Sequence, residues 1–137
     1  MEIEEYYKLE KEIYQTIETQ GLMVAIEKYF GAGAIIQLTF SESSCKTEIE
    51  KLNLSVRSYN CLKRAGLYTV NDVIEAIKEN SLWKIRNLGK NSIAEIHVRI
   101  YEFGYYNLSE KGRWDFVETM LGLNRDDTDS IYLNRNV

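Results

Sequence analysis

A chain of 137 residues with 45% hydrophobic side chains can hold one packed domain, or a small domain with sizeable extensions, and is too apolar for wholesale disorder. No apolar run is long enough to cross a bilayer. The acidic opening MEIEEYYKLEKEIY lacks the apolar core of a signal peptide, so a cytoplasmic protein with no membrane role is expected. The net charge of −4 argues against nonspecific coating of nucleic acid.

The charge is uneven. Residues 1–46 carry a net −4, residues 47–105 a net +2 and residues 106–137 a net −2, so a polyanion should dock on the middle third. Cys45 and Cys61 are the only cysteines, and two reduced thiols are expected rather than a disulfide.

With no proline in the sequence, glycines and capping residues must end its helices. Tyr6, Leu9, Ile13 and Ile17 keep a one-face helical spacing until Gly21. Residues 22–30 read as a second, short helix ended by Gly31. Residues 35–40 fit a short strand or a loop equally well. A boundary near Cys45 divides a segment 1–46 from a middle module, 47–105. There, residues 55–65 form a helix with Gly66 just past its end. Thr69 and Asp72 resemble a capping box opening a helix to about Glu79. Residues 81–85 allow one turn, and Ile93, Ile96, Ile100 and Phe103 mark a longer helix closed by Gly104. In the last segment, 106–137, Ser109 can cap a helix carrying Trp114, Val117 and Leu121. The ending NRDDTDSIYLNRNV has no period and reads as loosely held.

Two places in the module share one design: helix, tight glycine turn, helix. They are RAGLYTV and RNLGKNSI. Such a turn leaves the first N–H groups of the following helix unpaired and pointing outward, which suits a phosphate. The second adds Lys90, Asn91 and Ser92, all able to donate to phosphate oxygens. A merely wet glycine turn is the plain alternative. Upstream, Arg57, Asn60 and Cys61 are spaced to share a helical face. An arginine near a helix start sits poorly with the positive end of that helix, and makes more sense if an anion arrives. Arginine suits a narrow minor groove, where asparagine can bond base edges or sugars.

LNLSVRSYNCLKRAGLYTVNDV followed by WKIRNLGKNSIAEI resembles the C-terminal domain of the bacterial RNA polymerase alpha subunit over roughly residues 47–105. The resemblance implies a compact, all-α, helix-hairpin-helix domain that docks in the minor groove of A/T-rich DNA and contacts transcription factors. By position it implies that Arg57 enters the groove, that Asn60 and Cys61 make neighbouring contacts, that Gly89 and Ser92 face phosphate, and that Glu95 lies near the DNA. Lys90 is kept, but Asn91 stands where the family commonly has a second lysine. Lys51 and Asn53 occupy places where some relatives carry acidic residues that touch sigma factor. The assembly domain of an alpha subunit does not fit within 46 residues, so a stand-alone protein carrying the module is expected.

The remaining residues call for no catalysis, cofactor or metal. His97 lies beside Ile96 and Val98 without a ligand cluster. Trp83 and Trp114 read as core or interface anchors, and Tyr6, Tyr7 and Tyr14 as core or a partner surface. The expectation is an all-α DNA-binding protein of transcription, a regulator or polymerase accessory factor, with N-terminal helical and C-terminal extensions. Its rival is a protein-interaction module that mimics the polymerase domain to bind transcription factors or RNA polymerase. An enzyme is not expected: base-excision enzymes share helix-hairpin-helix elements, but their separate pocket and catalytic acid have no counterpart.

Overall fold

The computed structural model describes residues 2–124, and all but the first residue of the ending NRDDTDSIYLNRNV lies outside them. Among the described residues the regular structure is helical, with one isolated antiparallel bridge, Glu48 to Thr69. The protein forms two compact units, Thr39–Asn107 and a second made of the segments on either side.

The middle unit opens with α3 (Glu42–Cys45), capped by the Ser41 hydroxyl, and a 3₁₀ turn, Ile49–Leu52. Helix α4 (Val56–Arg64) follows. It ends because Gly66, at φ +82°, reverses the backbone. There the Gly66 N–H bonds to Lys63 O and the Leu67 N–H to Leu62 O, both at 3.0 Å, the paired bonds of a Schellman ending. Helix α5 (Val70–Lys78) opens on the expected capping box of Thr69 and Asp72. It ends the same way, with Asn80 at φ +52° in the glycine's place. A 3₁₀ turn, Leu82–Lys84, leads to α6 (Lys90–Tyr106).

Ile49, Leu52, Leu62, Val70, Val73, Leu82, Leu88, Ile96 and Ile100 form the core of this unit. Two backbone bonds tie its entrance to the first hairpin: the Ile49 N–H to Tyr68 O at 3.0 Å and the Val70 N–H to Thr47 O at 2.8 Å. Helix α3 packs on α5, and Ser44 within it is buried. The unit therefore begins at Thr39 and not near Cys45, because the short helix before that boundary belongs to its packing.

Gly104 does not close α6. The helix runs on to Tyr106, and Asn107 ends it by donating its side-chain amide to Phe103 O at 2.8 Å. A single glycine costs a helix only about 1 kcal/mol, too little to stop it. Trp83 is no core residue: it is 63% exposed, with the Lys84 ammonium 5.6 Å from its ring centre.

The flanks, expected as separate extensions, pack on one another. Helix α1 (Ile3–Gln20) turns at Gly21 into α2 (Leu22–Phe30) and also packs against α7 (Glu110–Asn124). Tyr14 stacks on Trp114, ring centres 3.9 Å apart, and Arg113 pairs with Glu18 at 3.1 Å. Ser109 caps α7 as expected, its hydroxyl accepting from the Gly112 N–H at 3.0 Å. Residues 35–40 form no strand. The Asn124 side chain bonds both backbone groups of Ile35, at 2.7 and 2.9 Å. Tyr7, 60% exposed, is not core, whereas Tyr6 and Tyr14 are half-buried.

The packing of α3 makes its presence measurable. A fragment of residues 39–107 should melt cooperatively by circular dichroism. A fragment of 47–105, lacking α3 and its serine cap, should be about 1–2 kcal/mol less stable in urea.

Candidate nucleic-acid interface

The site is built where α4 and α6 begin side by side. The Glu95 carboxylate, in the second turn of α6, accepts three hydrogen bonds from the opening of α4. They come from the Ser55 N–H at 2.7 Å, the Ser55 hydroxyl at 2.8 Å and the Ser58 hydroxyl at 2.5 Å. The Ser55 hydroxyl in turn caps α4 by accepting from the Ser58 N–H. Burial opposes ionisation of Glu95, but the bonds from Ser58 and Ser55, helped by Arg99, outweigh it and hold the carboxyl below the ordinary carboxylate range. A second link ties α4 to the turn before α6: the Cys61 thiol donates to Asn87 O at 3.5 Å.

These links decide where the predicted residues point. Ser58 is turned inward and buried, so Arg57, a hundred degrees round the helix, is exposed. It has no ion-pair partner among the described residues. Asn60 is half-buried on the same side. Cys61 is only 4% exposed. The three do not form one open face: spacing puts them on adjacent positions, and packing withdraws the thiol to hold the second hairpin. Cys61 is free, as is Cys45.

The two hairpins are not equivalent. At the first, Asp72 supplies its own anion. Its carboxylate accepts from the Tyr68 N–H at 2.9 Å and the Thr69 N–H at 3.0 Å, and Thr69 Oγ1 accepts from the Asp72 N–H. The Tyr68 and Thr69 N–H bonds, acting against burial, keep the Asp72 carboxyl below its usual range. The expectation of outward, unpaired N–H groups at both hairpins therefore fails here, because a carboxylate already occupies the place a phosphate would take.

The second hairpin stays open. Gly89 precedes α6 and no side-chain group caps the helix, so its first N–H groups keep their hydrogen-bonding capacity and the positive end of the dipole. Lys90 and Asn91 are exposed and Ser92 half-buried around it. Gly89 has φ −87°, which any residue adopts, and a Cβ built there would meet nothing within 4 Å. The fold itself has no need of a glycine at this place.

Arg86, the first residue of RNLGKNSI, also faces solvent before the turn, although the sequence reading gave it no role. Lys63, by contrast, is taken up by Glu50 at 3.4 Å and by the rings of Tyr68 and Tyr59. The Ser55–Ser58–Glu95 link has no signal in the sequence beyond the three-residue spacing of the two serines. His97 is half-buried, and burial lowers its pKa. Among the described residues no cluster of three or more His, Cys, Asp and Glu side chains can hold a metal.

The middle unit is thus an all-helical, two-hairpin domain with one closed and one open helix N-terminus. Residues 39–102 match the family model for the C-terminal domain of the bacterial RNA polymerase alpha subunit, a non-catalytic module. The match covers a little under half of the 137 residues. It starts at the residue where the compact unit starts. No solved structure matches the protein significantly.

Glu95→Gln should destabilise the protein by about 1–2 kcal/mol, since a charged acceptor of three bonds becomes a neutral amide. The sign with pH is set by the lowered folded value. The Glu95 contribution is complete above the ordinary glutamate range and is lost as pH falls through that lowered value. Urea melts across the acid range should show the parent losing more stability than Glu95→Gln.

Proposed function

We propose that this protein binds A/T-rich DNA through the minor groove and acts in bacterial transcription, in the cytoplasm, as a regulator or polymerase accessory factor. The observation that carries the reading is the Glu95 link between α6, whose N-terminus no side chain caps, and the opening of α4, which carries the exposed Arg57. The guanidinium enters the groove, where narrow A/T tracts concentrate negative potential. A backbone phosphate sits on the N–H groups of α6, with Lys90 and Ser92 beside it, and Gly89 lets the sugar-phosphate backbone come close. Asn60, half-buried next to Arg57, bonds a base edge or sugar. The family matched by residues 39–102 supports the same reading.

The second reading, a module that binds transcription factors or RNA polymerase, is favoured by the carboxylate-closed first hairpin, the net charge of −4 and the neutral Asn91. A gel shift on A/T-rich duplex beside a polymerase pulldown separates the two.

Arg57→Ala should remove the preference for A/T-rich over G/C-rich duplex at a cost of about 1–3 kcal/mol, with little change in melting because no core atom is lost. Equal affinity of the variant and the parent for A/T-rich duplex would hand the site to the second reading. Gly89→Ala should leave thermal stability nearly unchanged, a few tenths of a kcal/mol, and yet weaken DNA binding by fluorescence anisotropy. With one open hairpin, about three phosphate contacts are expected, so log K against log salt should have a slope of roughly −3. Asn91→Lys should steepen that slope by about 1 and tighten binding without altering sequence preference.

A further inference from the structure

We propose that Arg86 holds a second backbone phosphate, next along the strand to the one seated on α6, so that the second hairpin grips two. The proposal rests on the DNA reading above and adds to it a contact that reads no sequence. Arg86 and Asn87 are the central residues of a β-turn, closed by the Leu88 N–H on Ile85 O at 3.2 Å. Asn87, at φ +66°, carries the left-handed step of that turn. Both ends of the turn are rooted: Leu88 lies in the core of the middle unit and Ile85 packs against it. From α4, the Cys61 thiol holds Asn87 O. The backbone at Arg86 is therefore fixed on both sides, and the residue itself is exposed.

The charge of the whole stretch says what the side chain meets. From Ser81 to Ala94 the chain holds three cations, Lys84, Arg86 and Lys90, and no carboxylate. The next acid, Glu95, is taken up by Ser55 and Ser58. Lys84 lies over the Trp83 ring, and Lys90 already flanks the phosphate on α6. Arg86 has no ion pair, hydrogen bond or ring contact among the described residues. It stands three residues before Gly89, so the two Cα atoms are no more than about 11 Å apart. A guanidinium on so short a tether acts within roughly one Debye length of the open helix end at 0.1 M salt, and its fork of donors matches phosphate oxygens. The first phosphate is already met by the α6 N–H groups, Lys90 and Ser92, which leaves its neighbour for Arg86.

The test is fluorescence anisotropy of the full-length protein on A/T-rich and G/C-rich duplexes over a salt series. Arg86→Gln should weaken binding to both duplexes by the same factor, about tenfold at 0.1 M salt, and flatten log K against log salt by about 1. Arg86→Lys keeps the charge and should keep the parent's slope. Both variants should retain the preference for A/T-rich duplex, with circular dichroism melts that match the parent. If Arg86→Gln keeps the parent's slope, the proposal is overturned while the DNA reading stands. A slope lost equally in Arg86→Lys overturns it too, because the charge is then not what binds. If the parent binds neither duplex, the DNA reading fails and this contact fails with it.

Discussion

The site depends on one carboxylate. Glu95 lies on α6, yet the bonds it accepts come from Ser55 and Ser58 at the start of α4. It therefore serves as the cap of a helix other than its own and fixes two helix openings against each other. That fixing sets the direction of Arg57, because Ser58, its neighbour, is held inward. It also takes up the donors of Ser55 and Ser58 at the start of α4, whereas no side chain caps the start of α6.

The same logic separates the two hairpins, which look like repeats in sequence. In the first, the third helical residue is Asp72, which folds back on Tyr68 and Thr69 and fills the dipole's positive end with its own charge. In the second, the third helical residue is Ser92, which is neutral, and the capping position is Gly89, which has no side chain to turn back. One hairpin is spent on stability. The other keeps its capacity to bind. A difference of residue type at the capping positions thus produces a one-sided site from a two-fold design.

Much of this fold was legible. The turns at Gly21, Gly31 and Gly66, the Thr69–Asp72 box and the Ser109 cap are local chemistry, set by residues three or four apart. Local rules misled where a later or distant group took over. The helix was not stopped at Gly104 because Asn107 could close it later; of the strand and loop left open for residues 35–40 the structure takes the loop, with Asn124 bonding both backbone groups of Ile35. Trp83 and Tyr7 carry the apolar surface that suits a core, yet both face solvent. Periodicity reports which face a residue occupies, but not whether anything covers it.

By itself the sequence determined the helical class, the capping of most helices, the basic middle third and the polar and charged residues of the two hairpins. Those properties reside in residue type and short spacing, and survive any arrangement of the helices. Tertiary structure alone decided which of them are available. Cys61 was withdrawn to Asn87, Asp72 closed the first hairpin, and Glu95 tied the opening of α4, which carries Arg57, to α6. The middle unit was extended back to Thr39, and the flanks, far apart in sequence, closed on each other through Tyr14 and Trp114. Each of these is a choice between partners of similar chemistry. A hydrogen bond or stacked ring is won by whichever group the packed core brings within reach, and reach across forty or a hundred residues is not written in local spacing.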